Sequence, residues 1–300
     1  VKEIINTKTT MEGAGVKLER AFGFGKTKEF DPFLLLDDFR NDNPADYLAG
    51  FPWHPHRGIE TITYVLAGEV EHGDSLGNRG KMGAGDVQWM TAGSGILHQE
   101  MPRGDAAGRM HGFQLWANLP AALKMTNPRY QDISSAEIPE VTEDDGTKAR
   151  VICGDFWGKR GPVDGVATDS VVAARYVDIS VPPGKKKRIQ VETTRNAFAY
   201  VFAGAGTFRD ASTPQAVLTE SGTDPNAAPV YDAKNHSLVL FDRGDEISVQ
   251  AGPEGIRFLL VSGRPLEEPV AWYGPIVMNT QAELNKAVRQ LQDGTFIQHK

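Results

Sequence analysis

"FPWHPHRGIETITYVLAG", residues 51–68, is the stretch on which the reading of this chain turns. Its second half is dense in β-branched and aromatic side chains and stops at Gly68, the composition of a strand closed by a turn. Its first half sets two imidazoles one residue apart. Residues two apart in a strand point to the same side at a separation of ~6.6 Å, so His54 and His56 share a face, with Glu60 if the strand stays regular. Two rings at that spacing can converge on one ion.

Further along, "WMTAGSGILHQEMP", residues 89–102, repeats the device after a glycine-rich turn, with His98 and Glu100 as a second i, i+2 pair. About the length of two hairpins separates the pairs, which lets them face each other from neighbouring strands. Imidazole nitrogen and carboxylate oxygen bind divalent first-row metals at ~2.0–2.2 Å, and this mixture suits Fe(II), Mn(II), Ni(II), Cu(II) or Zn(II). A single histidine is more commonly a satisfied or solvated polar residue; the two pairs together are what point to a metal. His72, His111, His236 and His299 lack such a companion and are assigned no metal role. Glu60 has three readings: an alternative ligand, or, in preference, a carboxylate orienting the ligands or the partner of Arg57.

Around these pairs the chain reads as all-β. Short runs such as "DVQWMTAG", "AARYVDISV", "AFAYVFAG" and "IRFLLVSG" are bounded by Gly, Pro, Asn or Asp. "ITYVLAGEV" (62–70) returns as "FAYVFAGAG" (198–206), each followed by a Gly-Asp turn and a further strand. Two similar β-barrels in tandem are therefore expected, one over 1–135 and one over 148–300. The join is placed in the acidic "SSAEIPEVTEDDGTK", residues 134–148, where the strand pattern lapses, and residues 209–237 have the composition of a long loop on the second barrel. One helix is expected near the C-terminus, with Thr280 and Glu283 at capping-box spacing, Leu284, Val288 and Leu291 as its apolar stripe, and Gly294 as its left-handed stop. The preceding "AWYGPIVMN", residues 271–279, reads as core.

At 300 residues the chain has room for two cores of ~150 residues each. No apolar run approaches the ~20 residues that cross a bilayer, so no membrane association is expected. The start shows no apolar signal segment, and the single cysteine, Cys153, cannot form a disulfide within the chain; a reducing, cytoplasmic compartment is the expectation. A net charge of -7 argues against capture of nucleic acid. The one basic run, Lys185 to Arg188, follows Pro182, Pro183 and Gly184 and reads as a solvated turn into a strand.

"HPHRGIETITYVLAGEVEHGDSLGNRGKMGAGDVQWMTAGSGILHQEMP" followed by "HGFQLWANLP" resembles the signature block of the pirin family, within the cupin superfamily, and "AWYGPIVMNTQAEL" resembles its C-terminal segment. The resemblance spans residues 16–130 and 269–297, with 134–260 similar in pattern and order. It implies a bicupin whose N-terminal barrel holds one metal, commonly iron as Fe(II), through three histidines and a glutamate; these fall on His54, His56, His98 and Glu100. Cupins in general place a glutamate at the position of Glu60, and their second motif has proline where this chain has Thr91.

The resemblance also implies quercetin 2,3-dioxygenase activity on a small aromatic substrate and dioxygen; the physical account that fits has Glu100 or a nearby carboxylate accepting the proton of the flavonol hydroxyl. Phe51, Trp53, Met90, Phe113 and Trp116 either shape the pocket or belong to the barrel core. The rival reading is an iron-dependent redox-sensing regulator that binds a transcription factor or a metabolic enzyme; a third is isomerisation or hydrolysis of a sugar-like acid. One metal per chain is expected. Aligning Gly68 with Gly204 puts Gln190 and Glu192 at the places of His54 and His56. Aligning the Gly-Asp turns puts Arg257 and Leu259 near those of His98 and Glu100, a poor set for a borderline metal.

Overall fold

The structure, a computed structural model, describes residues 1–163, 173–210 and 233–298; most of the expected loop at 209–237 and His299 lie outside them. The all-β expectation is borne out. In chain order the first half carries β1 (Glu3–Asn6), β2 (Lys8–Glu12), β3 (Val16–Phe22), the single turn α1 (Thr27–Phe30), β4 (Phe33–Asp38), β5 (Phe51–His56), β6 (Ile59–Ala67), β7 (Glu69–Asp74), β8 (Arg79–Met82), β9 (Val87–Thr91), β10 (Ile96–Arg103), β11 (His111–Asn118) and β12 (Arg129–Ile133). The second half carries β13 (Glu140–Thr142), β14 (Lys148–Cys153), β15 (Asp155–Phe156), β16 (Lys159–Arg160), β17 (Arg175–Val181), β18 (Lys186–Gln190), β19 (Asn196–Asp210), β20 (Ala233–Lys234), β21 (Ser237–Leu240), β22 (Glu246–Gly263), β23 (Ala271–Tyr273), β24 (Ile276–Met278) and α2 (Gln281–Gln292).

Among the described residues the first barrel closes from two antiparallel sheets, β12-β9-β6-β11-β4-β3-β2 and β5-β10-β7-β8, and the second is built on the long strands β19 and β22. β6 is buried on both faces, which is why its sequence is a continuous β-type run rather than an alternation. Ile62 and Tyr64 point into the core shared by the two barrels, while Val65 joins the interior of the first. The repeat has a physical basis at its glycines. Gly68 and Gly204 have φ of 78° and 66°, and a Cβ would collide with the carbonyls of Arg103 and Gly255 respectively.

The repeat also supplies the lock between barrels. Tyr64 donates to Asp178 Oδ2 (2.8 Å) and Tyr200 to Asp38 Oδ2 (2.7 Å), so equivalent tyrosines each reach a carboxylate of the other barrel. Each carboxylate is also held by an arginine of its own barrel, Arg257 on Asp178 and Arg40 on Asp38.

The two chain ends cross over. β1, from the stretch assigned to the first barrel, pairs with β21 of the second. β23, β24 and α2, from the stretch assigned to the second, lie on the first: Val277 packs with Leu34, Ile59, Met90 and Ile96, and its N–H donates to Arg57 O at 3.0 Å. The capping box of Thr280 with Glu283 forms, and Gly294 takes a φ of 71°. The stripe differs from the expectation: Leu284 and Ala287 are buried, Val288 is half-buried and Leu291 is exposed. The reason is that β23 and β24 are three residues long and cover only the first turns of the helix. A short strand, β13, also forms inside the expected join; Glu140 and Thr142 are exposed, so no apolar run announces it. The basic run enters β18, with Lys187 paired to Glu143 and Asp145. No helix among the described residues is long and apolar enough to cross a membrane.

Candidate metal centre

β5 is an edge strand, where Pro52 and Pro55 leave no central ladder bond unmade. It pairs antiparallel with β10 so that His54 stands opposite His98 and His56 opposite Ile96. The three imidazoles converge: their centroids are 4.4 to 4.9 Å apart, and one nitrogen from each lies within 4.8 Å of the others. His54 Nδ1 bonds Pro52 O (2.8 Å) and His56 Nδ1 bonds Pro275 O (3.3 Å). A carbonyl can only accept, so these contacts assign the proton to Nδ1 and leave both Nε2 atoms as lone pairs. Those two Nε2 atoms face each other at 3.1 Å, an arrangement that calls for a cation. His98 is buried with neither ring nitrogen hydrogen-bonded. Burial, reinforced by the neighbouring imidazoles, pushes His56 and His98 well below the usual histidine range, so both rings are neutral at pH 7, the form that can ligate. The donor set fits a divalent first-row metal.

Glu100 stands apart from the three converged imidazoles. His98 and Glu100 share the buried face of β10, whose pairing with β7 is continuous; the register shift between them lies on the β5 side, where Phe51 rather than Pro52 stands opposite Glu100, and the carboxylate is not in the group of converged donors. It is buried in the barrel, where Thr63 Oγ1 donates to it at 3.1 Å and Gln114 Nε2 at 3.1 and 3.3 Å. Gln114 Oε1 in turn accepts from Trp116 Nε1 at 3.3 Å, and the Trp116 ring meets His56 edge-on at 5.1 Å. Neither Thr63 nor Gln114 was singled out in the sequence. The signal was present for Gln114, a lone amide alternating with Phe113, Leu115 and Ala117 along a strand.

Glu60 is no neighbour of the histidines on the strand face they use. It shares the face of Ile62 and Tyr64, with Oε2 accepting from Trp89 Nε1 (2.9 Å) and Oε1 from Thr91 Oγ1 (2.6 Å). Its expected pairing with Arg57 is replaced by another. The buried Arg57 guanidinium donates to Ser94 O (2.7 Å), Gln290 Oε1 (2.6 Å) and Phe296 O (2.7 Å), and lies 4.1 Å over the Phe296 ring. Burial without a facing carboxylate pushes Arg57 down to about 10. Of the other histidines, His72 is buried and stacked on Tyr130, His111 is 2.6 Å from Asp42, and His236 is 3.7 Å from Asp38.

A cavity of about 570 Å³ opens beside His54 and His56, walled by Phe51, Trp53, Trp116 and Trp272 and by the charged pair Arg20 and Asp37. Of the five candidate pocket residues, Phe51, Trp53 and Trp116 line it; Met90 and Phe113 are core. The segment read as core is divided in the same way. Ile276, Val277 and Met278 are buried, but Trp272 and Pro275 face the cavity. In the second barrel, Gln190 bonds Glu246, Glu192 pairs with Arg195 and Arg175, Arg257 pairs with Asp178, and Leu259 is core.

Two antiparallel barrels sharing a core, one with three converged imidazoles beside a cavity, define a bicupin with a candidate histidine metal centre. Family models for pirin and for the pirin C-terminal cupin domain match residues 15–117 and 176–297, and the chain belongs to the pirin family. It is 42% identical over 297 residues to a pirin-like protein of Caulobacter vibrioides, covering 99% of this chain and 98% of that one. A quercetin 2,3-dioxygenase of Acinetobacter baumannii superposes with a TM-score of 0.82 at 31% identity, over 98% of this chain and 96% of that one. A bacterial pirin of Escherichia coli in complex with nickel(II), at 20% identity and a TM-score of 0.61 over 88% of this chain and 98% of that one, shares the fold.

Proposed function

We propose that this pirin is a metal-dependent dioxygenase of the quercetin 2,3-dioxygenase type, acting on a flavonol with Fe(II) held by His54, His56, His98 and Glu100. The observation that carries this is the set of three converged imidazoles beside an aromatic-walled cavity of about 570 Å³, a volume suited to a small planar ligand. Likeness to the Acinetobacter dioxygenase supports the choice of reaction. The bound metal supplies a Lewis acid that favours the ionised form of an enolic hydroxyl. The chain supplies the rest. Trp116 and Trp272 stack along the aromatic rings and keep water from them. Glu100, held through Thr63 and Gln114, accepts the hydroxyl proton at a carboxylate oxygen.

The test is oxygen uptake with quercetin by protein reconstituted with iron, beside His56→Ala and His98→Ala variants. Both variants should stay folded by circular dichroism, lose most bound metal and lose the uptake. Equal metal content in parent and variants refutes the ligand assignment. Metal-dependent binding with no uptake on any flavonol refutes the dioxygenase reading and leaves the regulator.

A further inference from the structure

The cavity has a second polar end. β4 buries two consecutive carboxylates that serve opposite faces: Asp38 takes Tyr200 and Arg40 at the barrel contact, while Asp37 faces the cavity beside the histidines. Arg20 grips Asp37 with a fork, Nε to Oδ1 at 2.8 Å and Nη2 to Oδ2 at 2.7 Å, and its Nη1 reaches Glu12 at 2.8 Å. Each Asp37 oxygen therefore receives one donor and keeps a lone pair for another. Two carboxylates around one guanidinium leave this end rich in acceptors, and the arginine has its fork engaged.

An aromatic series runs from the mouth of the cavity to the metal centre: Phe24 on Trp272 (5.6 Å), Trp272 on Trp116 (6.2 Å) and Trp116 on His56 (5.1 Å). Its outermost ring, Phe24, is 79% exposed, a site for a flat ring to slide onto. A planar aromatic lying along this series, with one hydroxyl directed at the histidines, has its remaining substituents to place, and the acceptors at Asp37 select among them.

We propose that Asp37 is a specificity-determining residue that accepts a hydrogen bond from a hydroxyl of the aromatic substrate remote from the one directed at the histidines. This rests on the flavonol reading above. The chemistry makes the choice of substituent sharp: a free hydroxyl donates, a methyl ether cannot, and a carboxylate or sulfate there meets like charge. Arg20 fixes the rotamer of Asp37 and acts as its positioning residue.

The experiment measures binding rather than turnover. Metal-loaded protein is titrated without oxygen, following the fluorescence of the tryptophans that line the cavity, with 3-hydroxyflavone, quercetin and quercetin methylated on its ring hydroxyls. Quercetin should bind roughly 10- to 100-fold more tightly than 3-hydroxyflavone, the range of a hydrogen bond to a charged acceptor, and methylation should remove that advantage. In Asp37→Asn the ratio of the two affinities should fall towards one. A loss of folding would weaken both ligands alike and leave the ratio intact, and the ligand series on the parent protein needs no variant. Equal binding of quercetin and 3-hydroxyflavone by the parent, or a ratio unchanged in Asp37→Asn whose circular dichroism matches the parent's, overturns the proposal and leaves the flavonol reading standing. Failure of every flavonol to bind overturns both.

Discussion

Arg57→Met tests whether the C-terminal segment holds the metal centre in shape. Methionine keeps much of the apolar stem and removes the fork that joins the residue after β5 to Ser94, Gln290 and Phe296. Gln290 is half-buried and can turn to water, but Ser94 and Phe296 are buried, and each carbonyl left without a donor costs about 1–3 kcal/mol. Losing the guanidinium over the Phe296 ring costs a further ~0.5–2 kcal/mol. Relief of a buried charge, whose cost shows in the lowered ionisation of Arg57, offsets part of this, leaving a net loss of about 2–5 kcal/mol. Because Pro275 of the same segment bonds His56 Nδ1, metal affinity should fall about 10- to 100-fold as well. Urea unfolding of metal-stripped protein reads the first effect and competition with a chromophoric chelator the second. A stability change within ~0.5 kcal/mol refutes the burial argument. A full loss of stability with unchanged metal affinity shows that the segment does not orient His56.

Acid should act in one direction. Because the unfolded chain protonates these histidines near 6.5 while the fold holds His56 and His98 well below that, stability of the metal-free protein is full above ~6.5 and declines as pH falls through the folded values. Bound metal leaves over the same range, and equal metal retention at pH 5 and pH 8 would contradict this. Tyr64→Phe and Tyr200→Phe should each cost about 1.5–3 kcal/mol in urea unfolding, since each removes a buried hydrogen bond to a carboxylate between barrels; losses under ~0.5 kcal/mol would sink that account. Glu60→Gln should lower the melting temperature and keep the parent's metal content, whereas metal loss would restore Glu60 as a ligand. Protein reconstituted with excess iron and desalted should hold close to one equivalent, and a second that survives His56→Ala would place a site elsewhere.

What the sequence made legible were features whose cause is local. Strand spacing put His54 and His56 on one face, the Thr280 and Glu283 pair began the helix, and Gly294 ended it. What it hid depends on partners far along the chain. Glu100 keeps its i, i+2 relation to His98, but its carboxylate is taken by Thr63 of β6 and Gln114 of β11, which no property of "HQEMP" encodes. Arg57 finds Phe296 rather than Glu60 because the C-terminus returns to the first barrel, 239 residues away. Glu60 itself was ambiguous because β6 is buried on both faces, so alternation could not say which face turned towards the histidines.

The two barrels share a pattern and diverge in what equivalent positions do. Tyr64 and Tyr200 come from the same place in the repeat and both serve the contact between barrels, so that role belongs to the repeat as a whole. At the place aligned with His98, the second barrel carries Arg257, whose guanidinium grips Asp178 at 2.9 and 2.6 Å, the carboxylate that also receives Tyr64. A position that supplies a candidate ligand in one barrel thus supports the carboxylate that receives the other barrel in its counterpart. The substitution is self-reinforcing: removing the arginine would leave Asp178 buried with its charge less compensated, and bringing a cation beside the arginine would meet like charge. Adjacent residues of β6 thus serve both features: Thr63 bonds Glu100 beside the candidate centre, and Tyr64, on the opposite face, reaches Asp178 of the second barrel.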